Sequence, residues 1–324
     1  MSEQQSPDSY TRPLAAYNGE KPPAPDWFER ALEEPMEEGG VDVNGARIAY
    51  LAWGRRGAPG LLFVHGGRAH AHWWRPFAHF FSSTFRVAAL NLSGMGDSSW
   101  RDAYSMPCFV DEIFAVSEAA GLYEAGQPLV VGHSFGGLVS LGAVEQAGER
   151  LRGVVIIDSP VLTPSPDEDY HYRARNKTPP RGRRVYESEK DLLARFRFLP
   201  DQDTDHHYLV DYIARTAVTS APFPDEPERM GVSWKFDPGA GSNFDLHFKR
   251  DLFLAARCPL AFIYGGKSMF YNEETQAHLS RQTVGRSPMI VIPDAEHHIM
   301  IDQPIAFVSA LRALFAAWPV RIGV

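Results

Sequence analysis

Cysteine is scarce in this chain, with two in 324 residues. Cys108 and Cys258 lie far apart and without metal-ligand spacing. A disulfide framework is therefore not supported, and two ordinary part-buried thiols suit a reducing cytoplasm. Long hydrophobic runs are missing too. No uninterrupted apolar stretch reaches the about 18 residues that mark a transmembrane helix, so no membrane span is expected. The opening MSEQQSPDSYTRP lacks the basic start and apolar run of a secretory signal, which makes a cytoplasmic location the expectation. Positive charge is in deficit: 32 Lys and Arg against 40 Asp and Glu give a formal net charge of −8. Phosphate recognition depends on clustered Lys and Arg that release counterions, so nucleic acid is not an expected partner. The one basic run, Arg173 to Arg184, reads as a solvated face or a local anion contact. No internal repeat is visible.

What is present is an alternation of short apolar runs with helical segments, and the length suits one large α/β domain with an inserted lid. Residues 1–40 are rich in Pro, Glu and Ser, with Trp27, Phe28 and Leu32 as anchors, and read as an arm lying on the domain. From Val41, VDVNG and ARIAYLAW flank an Asn-Gly turn signal and predict a hairpin. LLFVH at 61–65, RVAALN at 86–91, PLVVGH at 128–133 and GVVIID at 153–158 read as buried parallel strands. Helical patterns lie between them, around 74–81, 107–120 and 135–147. The alternation fails from 161 to 257, where Pro, aromatic and charged residues are scattered and no strand run has comparable strength. CPLAFIYGG then resumes it, followed by a helix near 273–282, the strand PMIVI at 288–292 and a last helix from 304 to about 318. A mostly parallel open sheet flanked by helices is expected, with the core at 41–160 and 258–324 and a lid at 161–257.

Gly132-His133-Ser134-Phe135-Gly136 carries the chemistry. It fits G-x-S-x-G between a strand-like and a helix-like segment. A sharp strand-to-helix turn crowds the backbone, so small residues must flank a hydroxyl that stands exposed above the sheet. Ser134 also opens a helix, where unpaired N–H groups favour a developing oxyanion. The backbone N–H of Phe135 is one expected donor, and Gly67, in the glycine pair of His65-Gly66-Gly67-Arg68, is the second. His65, His70, His72 and His79 cluster here, but no cysteine or carboxylate completes a ligand set, so no metal and no cofactor is expected. Trp73 and Trp74 read as helix packing. Near the C-terminus, PDAEHHIMIDQP offers His297 and His298, of which only one can face Ser134.

HGG after a strand, GHSFGG at the turn and AEHHIMIDQP near the end together resemble the α/β-hydrolase superfamily, over roughly 41–318. The resemblance implies the α/β-hydrolase fold, a serine nucleophile at Ser134 and a histidine base. In the family pattern A-G-H-x-x-x-x-E-x-P, Glu296 takes the Gly position, His297 the histidine, and Asp302 and Pro304 the E-x-P positions. His297 is then the base and His298 a pocket neighbour. Many members place an acid in G-x-x-D after the strand that follows the lid, but here that stretch reads Gly265-Gly266-Lys267-Ser268-Met269. Asp158, at the end of the strand before the lid, is the favoured acid, with Glu273 or Glu274 as the alternative. NLSGMGDSS, at 91–99, resembles the family's D-x-P-G-x-G-x-S loop and reads as structural. Serine in place of aspartate at the turn argues against dehalogenase and epoxide hydrolase chemistry, which needs a carboxylate nucleophile.

The expected lid holds Tyr170, Tyr172, Tyr186, Phe196, Phe198, Tyr208, Phe223, Trp234 and Phe236 among Arg173, Arg175, Arg195 and Arg197. An apolar or aromatic acyl group is the expected small-molecule substrate, on an ester or lactone, with Arg68, His133, Trp234 and His298 as pocket residues. Two rival readings stay open. One is a carbon–carbon bond hydrolase, lyase or cofactor-free dioxygenase that uses the same Ser-His pair. The other is a slow or non-catalytic receptor for a small ligand.

Overall fold

The computed structural model describes residues 11–161, 182–240, 253, 256–283 and 286–318. Helix α1 (Asp26–Glu33) buries Phe28 and Ala31. Strands β1 (Glu37–Val43) and β2 (Ala46–Trp53) pair antiparallel across Asn44 and Gly45, both at positive φ, as a two-residue Asn-Gly loop requires. β1 starts four residues before the expected Val41. Glu37, Glu38, Gly39 and Gly40 give no apolar alternation; β1 is an outer strand, held through β2 and through Glu37, which pairs with the buried Arg86 at 2.7 Å.

Then follow β3 (Gly60–Val64), α2 (Arg75–Ser82), β4 (Arg86–Leu90), α3 (Met106–Ala119), β5 (Leu129–His133), α4 (Phe135–Ala147) and β6 (Gly153–Ile157). β3, β4, β5 and β6 are buried at every position. A strand covered on both faces needs apolar side chains on both, which is why these segments read as continuous runs. Alternate residues feed two cores: Leu61, Phe63, Val131 and Ile157 face one, while Leu62, Val64, Val130 and Ile156 face the other. Each such side chain contributes roughly 1.5–3 kcal/mol by leaving water. Trp74 stacks on Phe63 at 4.8 Å, as helix packing predicts.

Between β6 and β9 the described residues form α5 (Glu189–Leu193), α6 (His207–Thr216) and an antiparallel pair, β7 (Val218–Phe223) with β8 (Glu226–Trp234). The sequence pattern missed this pair. It is a two-stranded sheet on its own, mostly exposed or half-exposed and carrying Pro222 and Pro227, so neither strand shows an apolar period of two. The expected lid residues Tyr170, Tyr172, Arg173 and Arg175, and most of the basic run, lie outside the described residues. β9 (Leu260–Gly265), α7 (Glu273–Thr283), β10 (Met289–Ile292), α8 (Ile299–Asp302) and α9 (Pro304–Ala316) complete the chain.

The sheet order is β1-β2-β4-β3-β5-β6-β9-β10, parallel from β4 onward. From β3 the chain goes to β4 on one side and then to β5 on the other. Such a reversal opens a crevice at the carboxyl ends of the two central strands. The segment between β6 and β9 reaches the loops at this end of the sheet. Gly96 N–H donates to the Lys235 carbonyl (2.8 Å), Asp237 N–H to the Gly94 carbonyl (2.7 Å), and His70 Nε2–H to the Ile213 carbonyl (3.0 Å). No helix among the described residues is long and apolar enough to cross a membrane.

Candidate active site

Ser134 is the one residue between β5 and α4, and its backbone is bent to φ 53° and ψ −119°. Side chains rarely adopt such a conformation, and it persists only where the surroundings hold it. Here Ser134 N–H donates to the Ile157 carbonyl at 2.8 Å, and Ser159 Oγ donates to the Ser134 carbonyl at 2.8 Å. The flanking glycines are sterically required. A Cβ on Gly132 would collide with the Gly136 carbonyl, and one on Gly136 with the carbonyls of Val64 and His65.

The loop after β3 lies against this turn. A Cβ built on Gly66 would stand 3.4 Å from Ser134 Cβ, and one on Gly67 3.7 Å from Phe135 Cβ. No hydrogen bond from the Gly67 N–H is found among the described residues. His65 anchors the loop. Its Nε2 accepts from Leu92 N–H (3.0 Å), which leaves Nδ1–H to donate to the Gly66 carbonyl (2.7 Å). Burial pulls this imidazole down to about 4 and keeps it neutral.

His297 lies in the turn between β10 and α8, almost fully buried. Its Nε2 is 3.0 Å from Ser134 Oγ and its Nδ1 is 2.7 Å from Asp158 Oδ2. Asp158 follows β6 at φ 44° and is completely buried. Its Oδ1 accepts from Gly265 N–H at 3.0 Å, and its Oδ2 also accepts from Ser268 Oγ at 2.5 Å. The structure thus brings Ser134, His297 and Asp158 into one chain of contacts. Glu273 and Glu274 are exposed in the first turn of α7, with no recorded contact to His297.

A second layer holds the histidine turn. Asp302 Oδ2 accepts from Glu296 N–H (2.7 Å), and its Oδ1 accepts from Gln202 Nε2 (2.7 Å). Gln202 Oε1 accepts in turn from His298 N–H at 2.8 Å. Burial raises the Asp302 carboxyl, opposed by these two donors. Gln202 lies between β6 and β9, and no motif marked it. Ser268 was legible only as the wrong residue in a G-x-x-D frame.

The expected pocket residues divide. His133 and His298 pack on His297 with ring centroids at 4.8 and 4.7 Å. His133 Nε2–H donates to the His297 carbonyl at 3.0 Å, and burial holds both neighbours well below the ordinary histidine value. Arg68, at φ 60°, extends over the Phe236 ring at 5.5 Å; partial burial and the charge of Arg197 lower its pKa. Trp234 sits one step further out, against Phe196 (5.9 Å), which meets Phe198 (5.3 Å), which meets His298 (4.7 Å). Trp73 packs in the buried core, and its ring also lies 5.3 Å from His298 and 6.1 Å from Phe198. The 91–99 loop is structural: Asn91 Oδ1 accepts from Ala71 N–H, and Ser98 Oγ donates to the Asn91 carbonyl.

The four early histidines do not converge. His65 is engaged as above, His70 and His72 bond Ile213 and Tyr212, and His79 meets Glu34 at 3.2 Å. Among the described residues, the one group of three that could hold a metal ion is His133, His297 and His298.

Comparison with known proteins identifies relatives of this fold. Mouse epoxide hydrolase 4 is 28% identical over 123 residues, 37% of this chain. The chain therefore spans about a third of that relative's length, 33%. The Mycobacterium tuberculosis esterase Rv0045c is 26% identical over 308 residues, covering 87% of this chain and 94% of that protein. The solved thioesterase domain from the curacin biosynthetic pathway superposes with a TM-score of 0.71 at 18% identity, covering 86% of this chain and 100% of that one. The profile of the α/β hydrolase family matches residues 61–311. A fold shared across full-length neighbours and a family match running from β3 into α9 make this chain a member of the α/β hydrolase family.

Proposed function

We propose that this protein hydrolyses carboxylic esters or lactones through an acyl-enzyme, with Ser134 as nucleophile, His297 as general base and Asp158 as the supporting acid. One observation carries the reading: a single buried imidazole reaches Ser134 Oγ through Nε2 and Asp158 Oδ2 through Nδ1. A carboxylate acceptor keeps the proton on Nδ1, so Nε2 presents a lone pair to the serine hydroxyl. As Ser134 Oγ bonds to the carbonyl carbon, its proton passes to Nε2 and Asp158 stabilises the imidazolium. The oxyanion forms beside the Gly67 and Phe135 N–H groups, at the start of α4. Collapse expels the alcohol, which takes the proton from His297. Water, deprotonated by the same nitrogen, then releases the acid and restores Ser134.

Residues 161–257 act in this reading as a lid. Phe198 from the insertion and Trp73 from the core stand beside His298, and Phe196 and Trp234 extend them into an apolar wall that suits an apolar or aromatic acyl group. Relatives named as esterases add support at the level of the family. The test is release of p-nitrophenol from short-chain and aryl esters by wild type and Ser134→Ala, alongside intact mass after a fluorophosphonate probe. We expect one adduct on wild type, none on the variant, and loss of turnover. Turnover surviving in Ser134→Ala would overturn the proposal.

A further inference from the structure

We propose that His133, His297 and His298 form a binding site for a borderline-soft divalent cation, Zn²⁺ or Cu²⁺, whose occupation takes the base away from Ser134. One ring nitrogen from each residue lies within 4.8 Å of the other two, and all three side chains are buried. Imidazole nitrogen suits Zn²⁺ and Cu²⁺, whereas Mg²⁺ and Ca²⁺ require oxygen ligands that this trio does not offer.

A second observation points the same way. Both ring nitrogens of His298 are buried without a hydrogen-bond partner. A neutral imidazole carries one donor and one acceptor, so the side chain holds a buried lone pair with nothing to meet it. Around it stand the rings of Trp73 and Phe198, neither of which meets these nitrogens with a hydrogen bond, and the imidazoles of His133 and His297. A cation between the imidazoles would engage that lone pair and the one on His297 Nε2. Tetrahedral Zn–N bonds of about 2.0–2.1 Å set ligand nitrogens roughly 3.3 Å apart. Nitrogens now up to 4.8 Å apart must therefore close by up to about 1.5 Å, with the rings turning to aim one lone pair each at the cation. A fourth position remains for water or Ser134 Oγ. The base is then occupied rather than protonated, and proton transfer from Ser134 stops. Inhibition rests on the serine-hydrolase reading above, but binding of the cation does not.

The experiment is a titration of chelator-stripped, full-length protein with zinc chloride, with affinity read by competition against a chromophoric chelator, in wild type, His298→Ala and His133→Ala. Magnesium chloride is titrated in parallel, and fluorophosphonate labelling of Ser134 and ester turnover are followed at each zinc concentration. We expect one equivalent of zinc bound by wild type, no magnesium bound, and labelling lost as zinc binds. Loss of an outer-shell partner alone weakens metal sites ~10–100-fold, so each variant should lose at least tenfold in zinc affinity. If His298→Ala does not fold, His298→Phe fills the same space without a ligand atom. Zinc affinity unchanged in both variants, or no one-to-one binding by wild type, overturns the site. Protein that binds zinc through these residues but turns over no ester keeps the site and overturns the esterase reading; active protein with unchanged variant affinities does the reverse.

Discussion

Asp158→Asn isolates the electrostatic role of the buried carboxylate. In the wild type, Oδ2 receives both His297 Nδ1–H and the Ser268 hydroxyl, while Oδ1 takes Gly265 N–H. An asparagine keeps Oδ1 for Gly265 and places an NH₂ where Oδ2 accepted. That NH₂ can only donate, so His297 Nδ1 becomes the acceptor and its proton moves to Nε2, facing Ser134. The imidazole then has no lone pair for the serine proton, and the imidazolium of the transition state loses its counter-charge. In serine proteases the same exchange costs about 10⁴ in kcat. Turnover should fall by about three to four orders of magnitude here, or ~4–5.5 kcal/mol at about 1.36 kcal/mol per decade. Size and most partners are conserved, so the thermal midpoint should move by only a few degrees. The assay is kcat on a p-nitrophenyl ester with matched melting curves, and Glu273→Gln as comparison. A Glu273→Gln loss exceeding that of Asp158→Asn would refute the reasoning and move the acid to α7.

Ser268→Ala removes a hydrogen bond to a charged carboxylate, worth roughly 1.5–3 kcal/mol; kcat on a p-nitrophenyl ester should drop by about tenfold or more, and an unchanged kcat would refute the role of that contact. Adding Ser268→Asp to Asp158→Asn puts a carboxylate where the Ser268 hydroxyl now meets residue 158, and should recover at least about tenfold over the single variant; no recovery would deny that position 268 can hold the acid. Gly136→Ala drives a Cβ into the carbonyls of Val64 and His65, so the urea midpoint should report a loss of about 3 kcal/mol. The small gain that alanine brings to an open helix would contradict the contact. Stability should also fall with acid. His65 is held near 4 from an ordinary 6.5 by burial, so the unfolded chain binds more protons between those values. Its contribution is complete above about pH 6.5 and is lost as pH falls towards 4, amounting to about 3 kcal/mol. Urea midpoints flat from pH 7 to 4.5 would refute this.

How much of this was legible in the sequence follows from what each residue does. Strands β3 to β6 and β9 could be read because burial on both faces forces unbroken apolar runs. The turn at Ser134 could be read because collisions with three carbonyls leave glycine alone at 132 and 136. Asp158 was legible as a charged residue closing a fully apolar strand. Other features depend on tertiary context. β1 was set too late because its first four residues hold their place through Arg86 and β2, not through their own hydrophobicity. The pair β7 and β8 was missed because a two-stranded sheet with mostly exposed faces needs no alternation. Gln202 and Ser268 act through side-chain hydrogen bonds to residues about 100 positions away, |i−j| = 100 and 110 for those to Asp302 and Asp158, and polar side chains of that kind leave no periodic trace.

The grip of Gln202 has a temporal consequence. Its amide holds Asp302 at one end and the His298 backbone at the other, so the inserted segment and the histidine turn share one fastening. Swinging that segment aside to admit a reactant would also loosen the imidazole it braces. Entry and turnover would then alternate within each cycle, with water entering an opened crevice meeting a disarmed base.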